Sequence, residues 1–374
     1  MKLVFASDAF KGSLSSKKTA RILTKAATET FGECECVPVV IADGGEGTLD
    51  ALMNTTDGVL IPTRVHDPLM REINSVYGVF GGNRAVVEMA QASGLTLVES
   101  AKRNPLYTSS FGTGELIRSA LINGYRDVTI AIGGSAINDG GMGAMTALGI
   151  RFFDKDGRLL DGRGDDLSRV CDIDTGRLIP EAGNTAFTVM CDVTNPLCGE
   201  HGATYVYGPQ KGAGRYELEA LEDGMQNYRR VLIKTFGVDP DEIKGAGAAG
   251  GMGAALRLFL GADMCSGIET LLDLTGFNTL IRDADYIITG EGRLDGQSSA
   301  GKAVQGIGDR AKKAGVPCIA LCGCLGDGYE HIKEHGITRI EALADDSITP
   351  EYAVSHAEEV YYQRALEVMK TLKG

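Results

Sequence analysis

"KLVFASDAFKGSLSSKKTARILTKAATETF" (Lys2–Phe31) is the stretch that decides the fold. A short apolar run, "KLVFAS", is followed by helical spacing of apolar residues at Ala20, Ile22, Leu23, Ala26 and Ala27. One of Ser13, Ser15 and Ser16 supplies the N-cap. "CECVPVVIAD" (Cys34–Asp43) then reads as a second buried strand. It runs into "DGGEGTLDALMNTT" (Asp43–Thr56), a glycine-rich turn entering a helix. Strand, helix, strand and helix of these lengths imply parallel strands in a doubly wound sheet.

Downstream the pattern changes. From about Val59 to Met89 come the strand-like runs "VLIPTRVHD", "REINSVYGVF" and "RAVVEMA", and "GGN" joins the last two. That is hairpin chemistry, hence antiparallel sheet. "DVTIAIGG" (Asp127–Gly134) and "AFTVMCDVT" (Ala186–Thr194) read as further buried strands. "ADYIITGEGR", a helix around "KAVQGIGDRAKKAG", and "VPCIALCG" then restore the parallel alternation. The expected architecture is α/β: a parallel doubly wound domain, Rossmann- or flavodoxin-like, built from residues 1–64 and 280–374. A mixed α/β domain, residues 65–279, is inserted into it. Open parallel sheets bind ligands at strand carboxyl ends, and with two domains the cleft between them is the expected active site. No internal repeat or low-complexity tract interrupts the chain.

Composition bounds the function. At 374 residues the chain is long enough for two domains with their own cores. Hydrophobic residues at 43% and charged residues at 23% are ordinary for a globular protein. The 51 glycines are not, and they cluster at apparent strand ends, where backbone must approach something closely. A net charge of −13 argues against nucleic acid as a partner, while a few Lys or Arg can still hold a small anion in a cleft. "MKLVFASDAF" has too short an apolar run for a signal peptide or a membrane anchor. Nine cysteines, an odd number, fit reduced thiols in the cytoplasm. The pairs Cys34/Cys36 and Cys322/Cys324 are CxC, which reads as buried thiols rather than zinc ligands.

Two loops resemble nucleotide motifs without matching them. "GAGAAGGMG" holds GxGxxG at Gly245, Gly247 and Gly250, but "FGVDPDEIK" before it is no buried strand, as a dinucleotide fingerprint requires. Its glycines, with Gly251, are better placed to let a helix N-terminus present N–H groups to an anion. "GQSSAGKA" (Gly296–Ala303) has the spacing GxxxxGK, yet Ala303 stands where a P-loop has the hydroxyl that holds magnesium. Its glycines and Lys302 cradle phosphate, or the loop merely carries a surface lysine.

Acidic residues recur at the same kind of turn: Asp8, Asp43, Glu46, Asp139, Asp192, Glu291 and Asp295. Any one of them can be a turn cap. Together they offer the parts of phosphoryl transfer, namely carboxylates for magnesium, N–H groups and cations for phosphate, and a carboxylate for the acceptor hydroxyl. "GGSAINDGGMGAMTALG" (Gly133–Gly149) adds Ser135 and Asn138. "CDVTNPL" and "GPQKGAG" add Asp192 and Lys211. No GxSxG is present, and the five histidines sit in unremarkable contexts.

In this combination the chain resembles the bacterial glycerate kinase family. The matching segments are "DAFKGSLSS", "IADGGEGTLDAL", "GTGELI", "IGGSAINDGG", "CDVTNPL", "GPQKGA", "GAGAAGGMGAAL" and "TGEGRLDGQSSAGK". They run in order from Asp8 to Lys302, so the likeness covers essentially the whole chain. One departure is Ile137, where relatives commonly carry Thr.

The resemblance implies ATP-dependent phosphorylation of D-glycerate with Mg2+, at the 2-hydroxyl, giving 2-phosphoglycerate. It implies a cytoplasmic enzyme, monomer or homodimer, with no nucleic-acid or membrane partner. Roles follow as expectations. Lys11, Asp8 and Asp43 are catalytic, Asp43 orienting or deprotonating the acceptor hydroxyl and Lys11 meeting a phosphate or the glycerate carboxylate. Arg64 and Arg293 clamp that carboxylate, with Ser135 and Asn138 beside it. Gly247, Gly250, Gly251, Lys302 and Lys211 hold the nucleotide, and Asp192 and Asp295 hold magnesium. The competing readings are an NAD-dependent hydroxyacid dehydrogenase and a non-catalytic sugar-acid sensor.

Overall fold

The computed structural model describes residues 1–10, 12–42, 44–296 and 302–373, with Lys302 known by its backbone alone. Along the chain come β1 (Lys2–Ser7), β2 (Glu35–Pro38), β3 (Val59–His66), β4 (Glu72–Phe80), β5 (Arg84–Glu88) and β6 (Asp127–Ala131). A short antiparallel pair follows, β7 (Arg151–Phe153) and β8 (Asp172–Asp174), then β9 (Ala186–Met190) and β10 (Asp263–Cys265). Last are β11 (Tyr286–Gly290), β12 (Arg293–Leu294), β13 (Cys318–Cys322), β14 (Cys324–Leu325) and β15 (Ile337–Ala342). The chain is α/β and divides into two compact units.

The first unit comprises Met1–Asp43, Asp50–Thr56 and Ile268–Gly374. Its five strands lie in the order β15-β13-β11-β1-β2, all parallel. This is the flavodoxin-type order, with the reversal between β1 and β11. Burial on both faces explains why β1 reads as a continuous apolar run rather than an alternating one. Leu3 and Phe5 pack with Ile288, Ile319 and Leu321 under the helices Ser16–Phe31 and Ala357–Leu372. Ser15 is the N-cap of the first helix, its side chain accepting from Lys18 N at 3.3 Å. Its neighbour Ser16 is buried instead, donating to Ser7 O at 2.6 Å and accepting from Ile41 N at 2.8 Å. β2 is shorter than the run expected, ending at Pro38, although Val39 N still donates to Phe5 O at 2.8 Å. Val39 and Ile41 remain buried beyond it.

The second unit comprises Gly44–Leu49 and Asp57–Gly267. The units therefore change over near residues 57 and 268, where the sequence suggested 64 and 280. The reason is visible in β3, which pairs along its whole length with β4 and so joins the second sheet. That sheet runs β10-β9-β6-β5-β4-β3. β3, β4 and β5 form the antiparallel meander, with the expected turn at residues 81–83, and β5, β6, β9 and β10 are parallel. Val87, Val128, Ile130 and Val189 from these strands share a core with Leu116, Ile117 and Leu121 of the helix Phe111–Ile122. Among the described residues, no helix is long and apolar enough to cross a membrane.

Candidate active site

Within the second unit, the parallel run of β5, β6, β9 and β10 brings four carboxyl ends to one edge of the sheet, where open α/β sheets take ligands. Glu88 ends β5, the loop Gly133–Gly141 follows β6, Asp192 follows β9, and Ser266 follows β10. Asp192 is held there by donors from the next strand's end. Its Oδ1 accepts from Ser266 Oγ at 3.0 Å and its Oδ2 from Gly267 N at 3.3 Å. The glycine-rich segment Gly44–Leu49 lies against the same edge, with Gly133 N donating to Gly44 O at 3.1 Å. A Cβ at Gly133 would stand 2.5 Å from Gly45 Cα, so only glycine lets these two loops meet.

Behind that edge is a sealed polar cluster. Asp139 is fully buried and its carboxylate accepts four bonds: from Ser110 N and Oγ, both at 2.7 Å, Gly141 N at 3.0 Å and Gly143 N at 3.3 Å. Burial pushes its pKa up while these donors pull it down. Lys211, 2% exposed, donates from Nζ to Ile137 O at 2.6 Å. Its pKa is lowered to about 7 by burial, against the pull of the Asp139 charge. Asn138 Nδ2 donates to Thr204 Oγ1 at 3.1 Å. Asn138 Oδ1 and the Tyr228 hydroxyl are buried with no hydrogen-bond partner among the described residues.

The loop Gly245–Gly251 is seated on this cluster. Gly250, at φ +67°, accepts at its carbonyl oxygen from the N–H of Gly140 at 2.9 Å, and a Cβ on it would overlap Ile137 O. Gly247 N donates to Asn195 O at 3.0 Å. The segment before it, Pro240–Glu242, is a 3-10 turn and not a strand. Ser135, Asn138, Lys211, Gly247, Gly250 and Gly251 are thus brought together in one unit. Lys211 takes a supporting place there rather than the open one expected at a nucleotide, since its ammonium is committed to Ile137. Arg64 stands apart from them on the edge strand β3, exposed and paired with Glu72 at 2.9 Å.

The first unit presents its own carboxyl-end loops at the switch point between β1 and β11. Asp8 follows β1, its N–H donating to Gly290 O at 2.8 Å and its Oδ1 accepting from Ala9 N at 2.6 Å. After β11 come the buried Glu291, then Arg293 and Asp295, whose Nε and Oδ2 pair at 3.1 Å. Lys11 and Asp43 lie outside the described residues. Lys302 is the first residue of the helix Lys302–Ala314, and Ala303 beside it is buried. Among the described residues, no three His, Cys, Asp or Glu side chains gather as metal ligands.

Sequence reasoning missed Glu88, Ser110, Thr204 and Tyr228. Glu88 alone had a visible signal, a carboxylate closing an otherwise apolar strand.

The glycerate kinase family profile matches residues 3–373. The chain is 43% identical to the glycerate 2-kinase of Escherichia coli K12 over 341 residues, covering 91% of this chain and 90% of that one. It is 40% identical to the glycerate kinase of Halalkalibacterium halodurans over 367 residues, 98% and 97% of the two chains. The crystal structure of a protein assigned as glycerate kinase 2 from Salmonella typhimurium LT2 is similar, with a TM-score of 0.87 at 39% identity. The match covers 100% of this chain and 98% of that one.

Proposed function

This chain belongs to the glycerate kinase family, and from that premise we propose how its residues divide the work. It is an enzyme, a kinase that phosphorylates glycerate with ATP as co-substrate. The observation that carries the finer reading is the 43% identity to a glycerate 2-kinase over nine-tenths of both chains. On that likeness the acceptor is the 2-hydroxyl of D-glycerate and the product is 2-phosphoglycerate. Nine free thiols support a cytoplasmic setting.

Asp43 orients or deprotonates the acceptor hydroxyl, and Lys11 and Asp8 act beside it. Arg293 holds the glycerate carboxylate with Ser135 contributing a hydrogen bond, whereas Arg64, paired with Glu72, and Asn138, sealed in the buried cluster, are not given that role. The glycines at 247, 250 and 251, together with Lys302, meet the nucleotide phosphates, while Lys211 braces the loop beneath them. Asp192 and Asp295 offer hard oxygen donors suited to Mg2+, which keeps several waters and takes only one or two carboxylates. Bound there, the ion would neutralise charge on the transferring phosphoryl group. Hydride transfer gains no support, because the turn Pro240–Glu242 stands where a dinucleotide fingerprint needs a strand.

ADP release on mixing ATP with D-glycerate, followed by phosphorus NMR of the product, tests the reading. A doublet from coupling to the single C2 hydrogen is expected. A triplet from the C3 hydrogens would overturn the 2-hydroxyl, and no ADP release would overturn the kinase itself.

A further inference from the structure

Glu88 is 0% exposed, although a carboxylate at the end of a buried strand is costly to desolvate. What it touches explains its presence. Its Oε2 accepts from Leu49 N at 2.8 Å, and its Oε1 accepts from Gly47 N at 3.3 Å and from Gln91 Nε2 at 3.2 Å. Gly47 and Leu49 flank the start of the helix Thr48–Thr55, whose first N–H groups have no intrahelical acceptor. A buried anion from β5 therefore serves as the cap for this helix start, and it favours the positive end of the helix dipole.

The rest of Gly44–Leu49 is fastened in the same way. Gly44 O accepts from Gly133 N at 3.1 Å, Thr48 Oγ1 donates to Gly45 O at 2.8 Å, and Gly133 lies so close to Gly45 that a Cβ on it would stand 2.5 Å from Gly45 Cα. The segment follows Asp43 directly in the chain. Without Glu88, the buried N–H of Leu49 and the more open N–H of Gly47 would lose their acceptor.

We propose that Glu88 is a positioning residue for the phosphoryl transfer, holding the backbone of Gly44–Leu49 in the arrangement the reaction uses. This rests on the reading of Asp43 as the residue at the acceptor hydroxyl. Glu88 touches no reacting atom. It acts through the peptide chain, where a displacement of about 1 Å can cost on the order of a hundredfold in rate.

Burial, with Glu46 as the facing charge, holds the Glu88 carboxyl above its ordinary range, while Leu49 N, Gly47 N and Gln91 pull it down. Only the ionised form accepts from both N–H groups at full strength. Protonation of Glu88 therefore contributes to the acid limb of the kcat profile beside that of Asp43, and loss of the Gln91 donor moves this contribution to higher pH.

Steady-state kinetics of the full chain with D-glycerate and ATP decide the matter. Glu88→Gln should lower kcat by about 10- to 100-fold with KM for both substrates nearly unchanged. Gln91→Met, milder and half-buried, should fold normally and shift the acid limb upward. Wild-type kcat in Glu88→Gln with only a lower melting temperature would overturn the proposal. So would an unmoved acid limb in Gln91→Met, which stands even where Glu88→Gln fails to fold. The underlying reading fails differently, by Asp43→Asn keeping full kcat.

Discussion

The ammonium of Lys211 donates to the main-chain carbonyl of Ile137, 74 residues away in sequence, from a side chain 2% exposed. Because the acceptor is backbone, the contact does not depend on what side chain stands at position 137. It ties the loop after β6 to the 3-10 turn Pro209–Lys211, and the loop Gly245–Gly251 rests on the result.

Lys211→Met keeps the length of the side chain and removes both donor and charge. Burial lowers the lysine pKa to about 7, so above that pH the folded chain holds it neutral while the unfolded chain keeps it protonated. The unfolded state then binds more protons, and stability rises with pH between the folded and the unfolded values. The burial penalty is full below the folded pKa and is relieved as pH climbs. Wild type should therefore gain stability relative to Lys211→Met between pH 7 and pH 9, by at most about 1.4 kcal/mol per pH unit. Thermal melts of both proteins across that range check it. A difference that stays constant with pH would show that Lys211 does not titrate there.

Ile137→Thr introduces the hydroxyl that the family resemblance led one to expect at this position. Ile137 is 0% exposed within the second unit's core, so the new hydroxyl is buried among apolar neighbours. The expected outcome is a stability loss of about 1–3 kcal/mol with kcat for glycerate unchanged. A rise in kcat would mean that the hydroxyl has a role here that the isoleucine has forfeited.

Gly250→Ala addresses the glycine loop. The residue sits at φ +67°, and an added Cβ overlaps Ile137 O, the same atom that receives Lys211. Backbone strain and overpacking together should cost about 2–4 kcal/mol. Chemical denaturation measures it, and the KM for ATP should rise if this loop meets the nucleotide. Unchanged stability would mean that the loop swings clear of Ile137.

What local periodicity controls was legible in the sequence. The run "KLVFAS", the helix after Ser15 and the hairpin at residues 81–83 all depend on neighbours a few positions apart. The unit boundary was less so, since β3 joins the second sheet through pairing that propensity does not encode. Lys211 in "GPQKGAG" looks like a loop lysine because its burial is made by residues distant in the chain. Glu88 looks like an ordinary strand terminator for the same reason. Asp139 reads as a turn cap until Ser110, from another loop, is seen to complete its set of donors.

Magnesium provides the last test. In a P-loop the residue after the lysine supplies a hydroxyl to the metal, and here that residue is Ala303, 4% exposed. A serine at that position would carry its hydroxyl into packed surroundings. Ala303→Ser should accordingly leave the magnesium requirement as it is. The carboxylates are the alternative ligands. Asp192 is already oriented by Ser266 and Gly267, and Asp295 is oriented by Arg293. Asn in place of either keeps the shape and removes the charge that holds a hard cation. Chelation of the metal should abolish ADP release in wild type. Asp192→Asn and Asp295→Asn should each raise the magnesium concentration for half-maximal rate by roughly tenfold, equivalent to about 1.4 kcal/mol of lost binding. Magnesium titrations of the three variants beside wild type separate the possibilities. Identical curves in both Asn variants remove these carboxylates from the metal, and a lower requirement in Ala303→Ser would return the site to P-loop chemistry.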